Sequence, residues 1–140
     1  MPRMQSAPAA RNFEVPPLGV SCDEWSAVCQ GRCNLLLEGS RASTEAALLG
    51  LMPHLRGIVQ WKQQATLLDL PPSPVRTLIV REVSDLQATE QKNLDDWVAA
   101  PGYQTQIIST TAQPLFSLVK RGLFDERLYY RLNAVLIHLE

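Results

Sequence analysis

Thr77-Leu78-Ile79-Val80, followed by Arg81-Glu82, and Gln106-Ile107-Ile108-Ser109-Thr110-Thr111 decide the fold. The first four residues are apolar or β-branched without polar alternation, the pattern of a central strand buried on both faces of a parallel sheet. Between the two stretches, Thr89 to Ala99 carries Leu94, Trp97 and Val98 at helical spacing and closes at Pro101-Gly102. Gln106 to Thr111 then supplies the next strand. Downstream, Pro114 opens a helix with Leu115, Leu118 and Val119 on one side, and Gly122 ends it. A second short helix, Asp125 to Leu132, leads into the apolar run Val135 to Leu139.

Upstream, Pro71, Pro72 and Pro74 predict an extended surface connection that divides the chain into two halves. Beyond it, Asn34-Leu35-Leu36-Leu37, stopped by Gly39, predicts a buried strand. Ser43 to Leu55 predicts a helix, with Ala46, Ala47, Leu48, Leu51, Met52 and Leu55 on its apolar side and Ser43 or Thr44 as N-cap. Ile58 to Trp61 is a further strand. Strands alternating with helices give an α/β layered sheet. Residues 1–17, with Pro2, Pro8, Pro16 and Pro17 and few large apolar groups, predict a flexible tail ahead of one domain over 18–140.

Composition narrows the function classes. The 140 residues are 46% hydrophobic and 19% charged, which suits one globular domain. Thirteen basic residues against fourteen acidic ones leave a net charge of -1, with no general pull toward nucleic acid or anionic lipid. No apolar run approaches the ~20 residues that span a bilayer, and Arg3 and Arg11 flank no apolar signal core, so a cytoplasmic location is expected. Cys22, Cys29 and Cys33 follow no C-x-x-C spacing, and only a distant His54 or His138 could complete a zinc site. Reduced thiols and no metal are the expectation.

An apolar strand, a glycine and a helix N-terminus form the geometry in which backbone amides cradle phosphate. The working motif, G-x-x-x-x-G-K-[ST], uses its lysine for the outer phosphates. Here the stretch reads Gly39-Ser40-Arg41-Ala42-Ser43-Thr44-Glu45, with a carboxylate where the lysine belongs. At a few ångströms unit charges interact by ~1–4 kcal/mol in water-like to surface-like dielectric, and here the sign is repulsive.

Gly122-Leu123-Phe124-Asp125-Glu126-Arg127-Leu128-Tyr129-Tyr130-Arg131-Leu132-Asn133 closely resembles a long motif, G-x-F-R-x-D-L-Y-Y-R-L-N, of bacterial sigma-54-dependent transcription activators. Gln106 to Ala112 is similar to that family's R-I-I-A-A-T-N strand, and Thr77 to Val83 to its T-L-F-L-D-E-I strand. The resemblance runs from Thr77 to Leu139 and continues, more weakly but in order, over Leu18 to Trp61. It implies an AAA+ fold: a three-layer P-loop-like domain with five parallel strands flanked by helices. Members assemble into rings that remodel the sigma-54 polymerase complex with ATP and magnesium.

The resemblance also assigns positions. Gly39 to Glu45 stands as a vestigial Walker A, and Arg81 replaces the Walker B aspartate that helps hold magnesium. Glu82 matches the water-activating carboxylate. The sensor asparagine aligns with Ala112. Of two arginines offered to a neighbouring subunit's nucleotide, the first aligns with Asp125 and the second with Arg131. The sigma-binding loop with G-A-F-T-G-A has no counterpart between Lys62 and Arg76. After the position of Glu140 the family continues into a helical lid, and the expectation is a domain without that lid and without a helix-turn-helix segment.

The resulting expectation is a pseudo-ATPase without cofactor. It would be a transcription-related regulator or adaptor that contacts itself or an intact AAA+ activator, with no direct DNA binding and no membrane. The alternative is a residual nucleotide binder or weak ATPase, in which Gly39, Ser43 and Thr44 offer amides and hydroxyls to phosphate and Arg131 acts in trans. A relic without selected function is the third. Tyr129 and Tyr130 are expected to pack against the sheet with hydroxyls at its edge, His54 and His138 to be structural, and Lys120-Arg121 to answer a helix dipole. Asp95-Asp96 is expected on the solvent side of its helix, without chemistry.

Overall fold

Leu35 to Glu38 (β1) is buried along its whole length and lies between two parallel neighbours, Gln106–Thr111 (β4) and Val135–His138 (β5). In this computed structural model, which describes residues 22–31, 33–61, 70–71, 75–100 and 104–139, Ile58–Trp61 (β2) and Thr77–Val80 (β3) complete the sheet. All five strands are parallel, in the order β2-β3-β4-β1-β5. The expected tail over 1–17, Pro72, Pro74 and the Pro101-Gly102 stop lie outside the described residues.

Five α-helices are described: Cys22–Cys29 (α1), Arg41–Leu51 (α2), Ala88–Ala99 (α3), Leu115–Lys120 (α4) and Glu126–Leu132 (α5). Successive strand side chains point to opposite faces, and β1 shows how this builds three layers. Leu36 joins Leu78, Val80, Leu94, Ile107, Leu115, Leu128 and Leu132 in one core beneath α3, α4 and α5. Leu35 and Leu37 join Val28, Leu48, Leu51, Ile79 and Ile108 in the other, beneath α1 and α2. Each fully buried Leu or Ile contributes roughly 1.5–3 kcal/mol relative to exposure, so the sheet is fixed from both faces.

Several boundaries differ from expectation for identifiable reasons. Helix α2 begins at Arg41 rather than Ser43, because Ser40 caps it, and it ends at Leu51, where Pro53 turns the chain into a 3-10 segment, Met52–His54. Helix α4 ends at Lys120 in a Schellman turn: Gly122, at φ +75°, donates its N–H to Val119 O, and Leu123 N–H reaches Leu118 O at 2.9 Å. Periodicity did not mark α1, in which Val28 alone is buried.

Helix α3 corrects the reading of Asp95-Asp96. Its inward face is Glu90, Gln91, Leu94 and Asp95, so Asp95 is buried, while Asp96 is exposed and pairs with Lys92 at 3.1 Å. The buried polar groups are satisfied across the helix contact. Gln91 donates to Leu86 O and Leu123 O and accepts from Asp125 N–H, and Asp95 accepts from Arg131. The tyrosines part company: Tyr129 is buried and its hydroxyl accepts from Asn133 Nδ2, whereas Tyr130 is exposed.

Candidate functional site

Gly39 to Glu45, Arg81-Glu82 and Ala112 come together at the C-terminal edge of the sheet, after β1, β3 and β4 respectively. Only Gly39 and Ser40 separate β1 from α2. Gly39 is required by close approach, since a Cβ there would stand 2.6 Å from Leu139 O, just beyond β5. Its N–H donates to Thr111 O at 3.0 Å. Ser40 is the N-cap: its hydroxyl oxygen accepts from Ser43 N–H at 3.1 Å, and its carbonyl accepts from Thr44 N–H at 2.9 Å. The Thr44 hydroxyl, buried, donates to Arg41 O. The segment that would wrap a phosphate is therefore the first turn of a helix. The amides of Gly39, Ser43 and Thr44 all have acceptors within the chain.

Helical spacing places Arg41 and Glu45 on one face of α2, beside the end of β3. Glu45 Oε2 accepts from Arg81 Nε at 2.8 Å, and Arg41 Nε lies 3.6 Å from Glu82 Oε1. Glu45 and Arg81, at the positions where the resemblance expects a lysine and an aspartate, thus meet in a single ion pair of reversed polarity. Arg81 is largely buried, and its Nη1 has no hydrogen-bond partner. Glu82 holds a left-handed backbone, φ 53° and ψ 53°, a conformation costly for a side chain with a Cβ; its N–H donates to Thr110 Oγ1 at 3.1 Å.

This donor set is a poor match for a nucleotide with magnesium. It offers no lysine and no magnesium-binding aspartate after β3, and the Gly39, Ser43 and Thr44 amides are already bonded; Ala112 presents only a methyl group where the resemblance expects an asparagine. Arg131 is not brought to this edge: its Nε donates to Asp95 Oδ1 at 2.6 Å, and Asn34 Nδ2 donates to its carbonyl. Asp125, at the other arginine position, caps α5 by accepting from Leu128 N–H.

Sequence reasoning missed Glu38, a buried carboxylate at the end of β1. One oxygen lies 3.1 Å from His138 Nδ1, and the other accepts from Leu115 N–H at the start of α4. A charged residue closing an otherwise apolar strand was the available signal. Among the described residues no group of three His, Cys, Asp or Glu side chains is placed to hold a metal ion, and no helix is long and apolar enough to cross a membrane.

A family model described as the sigma-54 interaction domain matches residues 59–140. No curated protein matches at a significant level. Among solved structures, NtrX from Brucella abortus in complex with ATP is similar at a TM-score of 0.64 and 14% identity, over 100% of this chain and 37% of that one. The ADP complex gives 0.60 and 18%, over 92% and 38%. The P-loop NTPase domain of the sigma-54 transport activator from E. coli gives 0.56 and 15%, over 83% and 92%. The chain thus spans less than two fifths of NtrX, and at these identities the likeness is one of fold.

Proposed function

This chain belongs to the sigma-54 interaction domain family, and from that premise we propose that it is a non-catalytic member, a pseudo-ATPase that acts as a transcription-related regulator or adaptor through protein contacts. The observation that carries the proposal is the Glu45–Arg81 pair. A phosphate chain arriving beside Glu45 meets a carboxylate, and the guanidinium in contact with that carboxylate, Arg81, is already engaged. Magnesium at the same place meets the guanidinium. Freeing Arg81 means breaking a partly buried pair, which costs about 1–3 kcal/mol after allowance for the exposed Glu45 end. The capped first turn of α2 adds to this, because the Ser43 and Thr44 amides must leave their acceptors on Ser40 to reach a phosphate.

The proposed partner is a second copy of this chain or an intact activator domain of the same family, met through the shared fold. Calorimetric titration with ATP and magnesium tests the first half: no saturable heat is expected up to about millimolar nucleotide, and saturable micromolar binding overturns it in favour of a residual nucleotide binder. Sedimentation of the chain alone and mixed with an intact activator domain tests the second. Association unaffected by nucleotide is expected. Monomers under both conditions overturn it.

A further inference from the structure

At the opposite edge of the sheet from Glu45, where β3 and β4 begin, a cavity of about 730 Å³ opens between the end of α1 and the connections into β2 and β3. Thr77 and Gln106, paired in the sheet as the first residues of β3 and β4, form its floor. We infer that this cavity binds a small organic oxyanion that also carries an N–H or O–H donor.

Gln106 supplies the first argument. It is 2% exposed, and its Nε2 donates to both Val28 O and Cys33 O at 2.9 Å. Those two carbonyls fix the orientation of the carboxamide, because turning it over would set oxygen against oxygen. Its Oε1 is thereby left buried and without a partner, beside the backbone of Gly31, where a Cβ would stand 3.8 Å away. A buried acceptor of this kind calls for a donor. No described residue supplies that donor, and a ligand hydroxyl or amine at the cavity floor is the group that would.

Charge supplies the second. Among the described residues that line the cavity none is acidic, whereas Arg56 and Arg76 both contribute, and neither has an ion-pair partner among the described residues. Gly57, at φ +57°, brings the Arg76 stem against the turn: a Cβ at Gly57 would stand 3.2 Å from Arg76 Cβ. Two arginines lining the same cavity as an unmet acceptor suit an anionic group and a donor on one molecule. The volume is in the range of small-molecule sites rather than of a single ion. The site shares no residue with the Glu45–Arg81 edge, so it stands or falls apart from the proposed function.

Carboxylate and phosphate share the required chemistry, and the test separates them. Malate and glycerol 3-phosphate, each with a hydroxyl, are titrated into ¹⁵N-labelled protein, with sulfate as an anion that has no donor. The Gly31 amide and the Gln106 side-chain NH₂ resonances are followed. At least one organic anion is expected to shift both saturably, sulfate to bind about tenfold more weakly or worse, and Arg56→Ser/Arg76→Ser to lose roughly tenfold in affinity while the rest of the spectrum is unchanged. The better of malate and glycerol 3-phosphate names the anion. Neither one shifting these signals by about 10 mM, sulfate binding equally well, or the double variant binding unchanged overturns the inference.

Discussion

Glu45 disfavours a phosphate and Arg81 a magnesium ion, yet the two are mutually favourable across 2.8 Å. Removing one partner strands the other, so Glu45→Gln is expected to lower stability by about 1–2 kcal/mol, with the exposed Glu45 end holding the figure down. The reversed pair Glu45→Arg/Arg81→Glu should recover part of that loss in urea unfolding. A coupling energy near zero in the double-mutant cycle would mean that the pair contributes nothing. Both residues were legible in the sequence as departures from a motif. Their pairing was not, because it requires α2 to be set against the end of β3, which no local pattern encodes. A titrating group gives a second prediction at this scale. Burial pushes the Cys29 thiol from its ordinary 9.0 up to about 11. The unfolded chain therefore releases this proton first, so the thiol's contribution to stability is intact below pH 9 and is lost as pH rises through about 11. Melting temperatures of wild type and Cys29→Ser should converge over that window relative to their separation at neutral pH. Alkylation at neutral pH should mark exposed Cys22 before Cys29.

The decisive element is the first turn of α2. Ser40→Ala removes the acceptor for Ser43 N–H and should cost about 0.5–2 kcal/mol in chemical denaturation, with loss of amide protection concentrated at residues 41–44. An unchanged protection pattern would show that the cap does not hold the turn. Apolar periodicity starts at Ala46 and predicts a start at Ser43, and capping chemistry three residues earlier, at Ser40, leaves no periodic trace. The strands were legible for the opposite reason: β1 and β3 are unbroken runs buried on both faces, a pattern few other elements produce. Helix α3 misled for a third reason. Its inner face is polar, so hydrophobic spacing places Asp95 outside, although Arg131 pairs with it within the fold. Asp95→Ala should therefore destabilise the α3–α5 contact by about 1 kcal/mol, where a solvated aspartate would show none. Equal stability of variant and wild type in urea would restore the solvent-side reading.

For the whole molecule the question is whether charge or shape separates this chain from nucleotide. Glu45→Lys/Arg81→Asp returns both charges to the signs that the family motif carries, and if charge were the sole obstacle the double variant should bind ATP and magnesium. Three contacts argue that it will not. Gly39 is held beneath Leu139, so the turn after β1 cannot swing outward without moving the end of β5. That end is itself fixed, because Leu139 N–H donates to Glu38 O at 2.6 Å. Ser40 keeps the amides of Ser43 and Thr44 in the helix. Opening the turn means breaking these hydrogen bonds together, each worth roughly 0.5–1.5 kcal/mol, before any phosphate contact forms. The double variant is expected to fold and to show no saturable ATP binding in calorimetry. A further Ser40→Gly/Thr44→Gly change, which removes the cap and restores the second glycine, is expected to give the first measurable affinity. Micromolar binding by the double variant alone would show that the backbone yields readily and that the ion pair by itself closes the site.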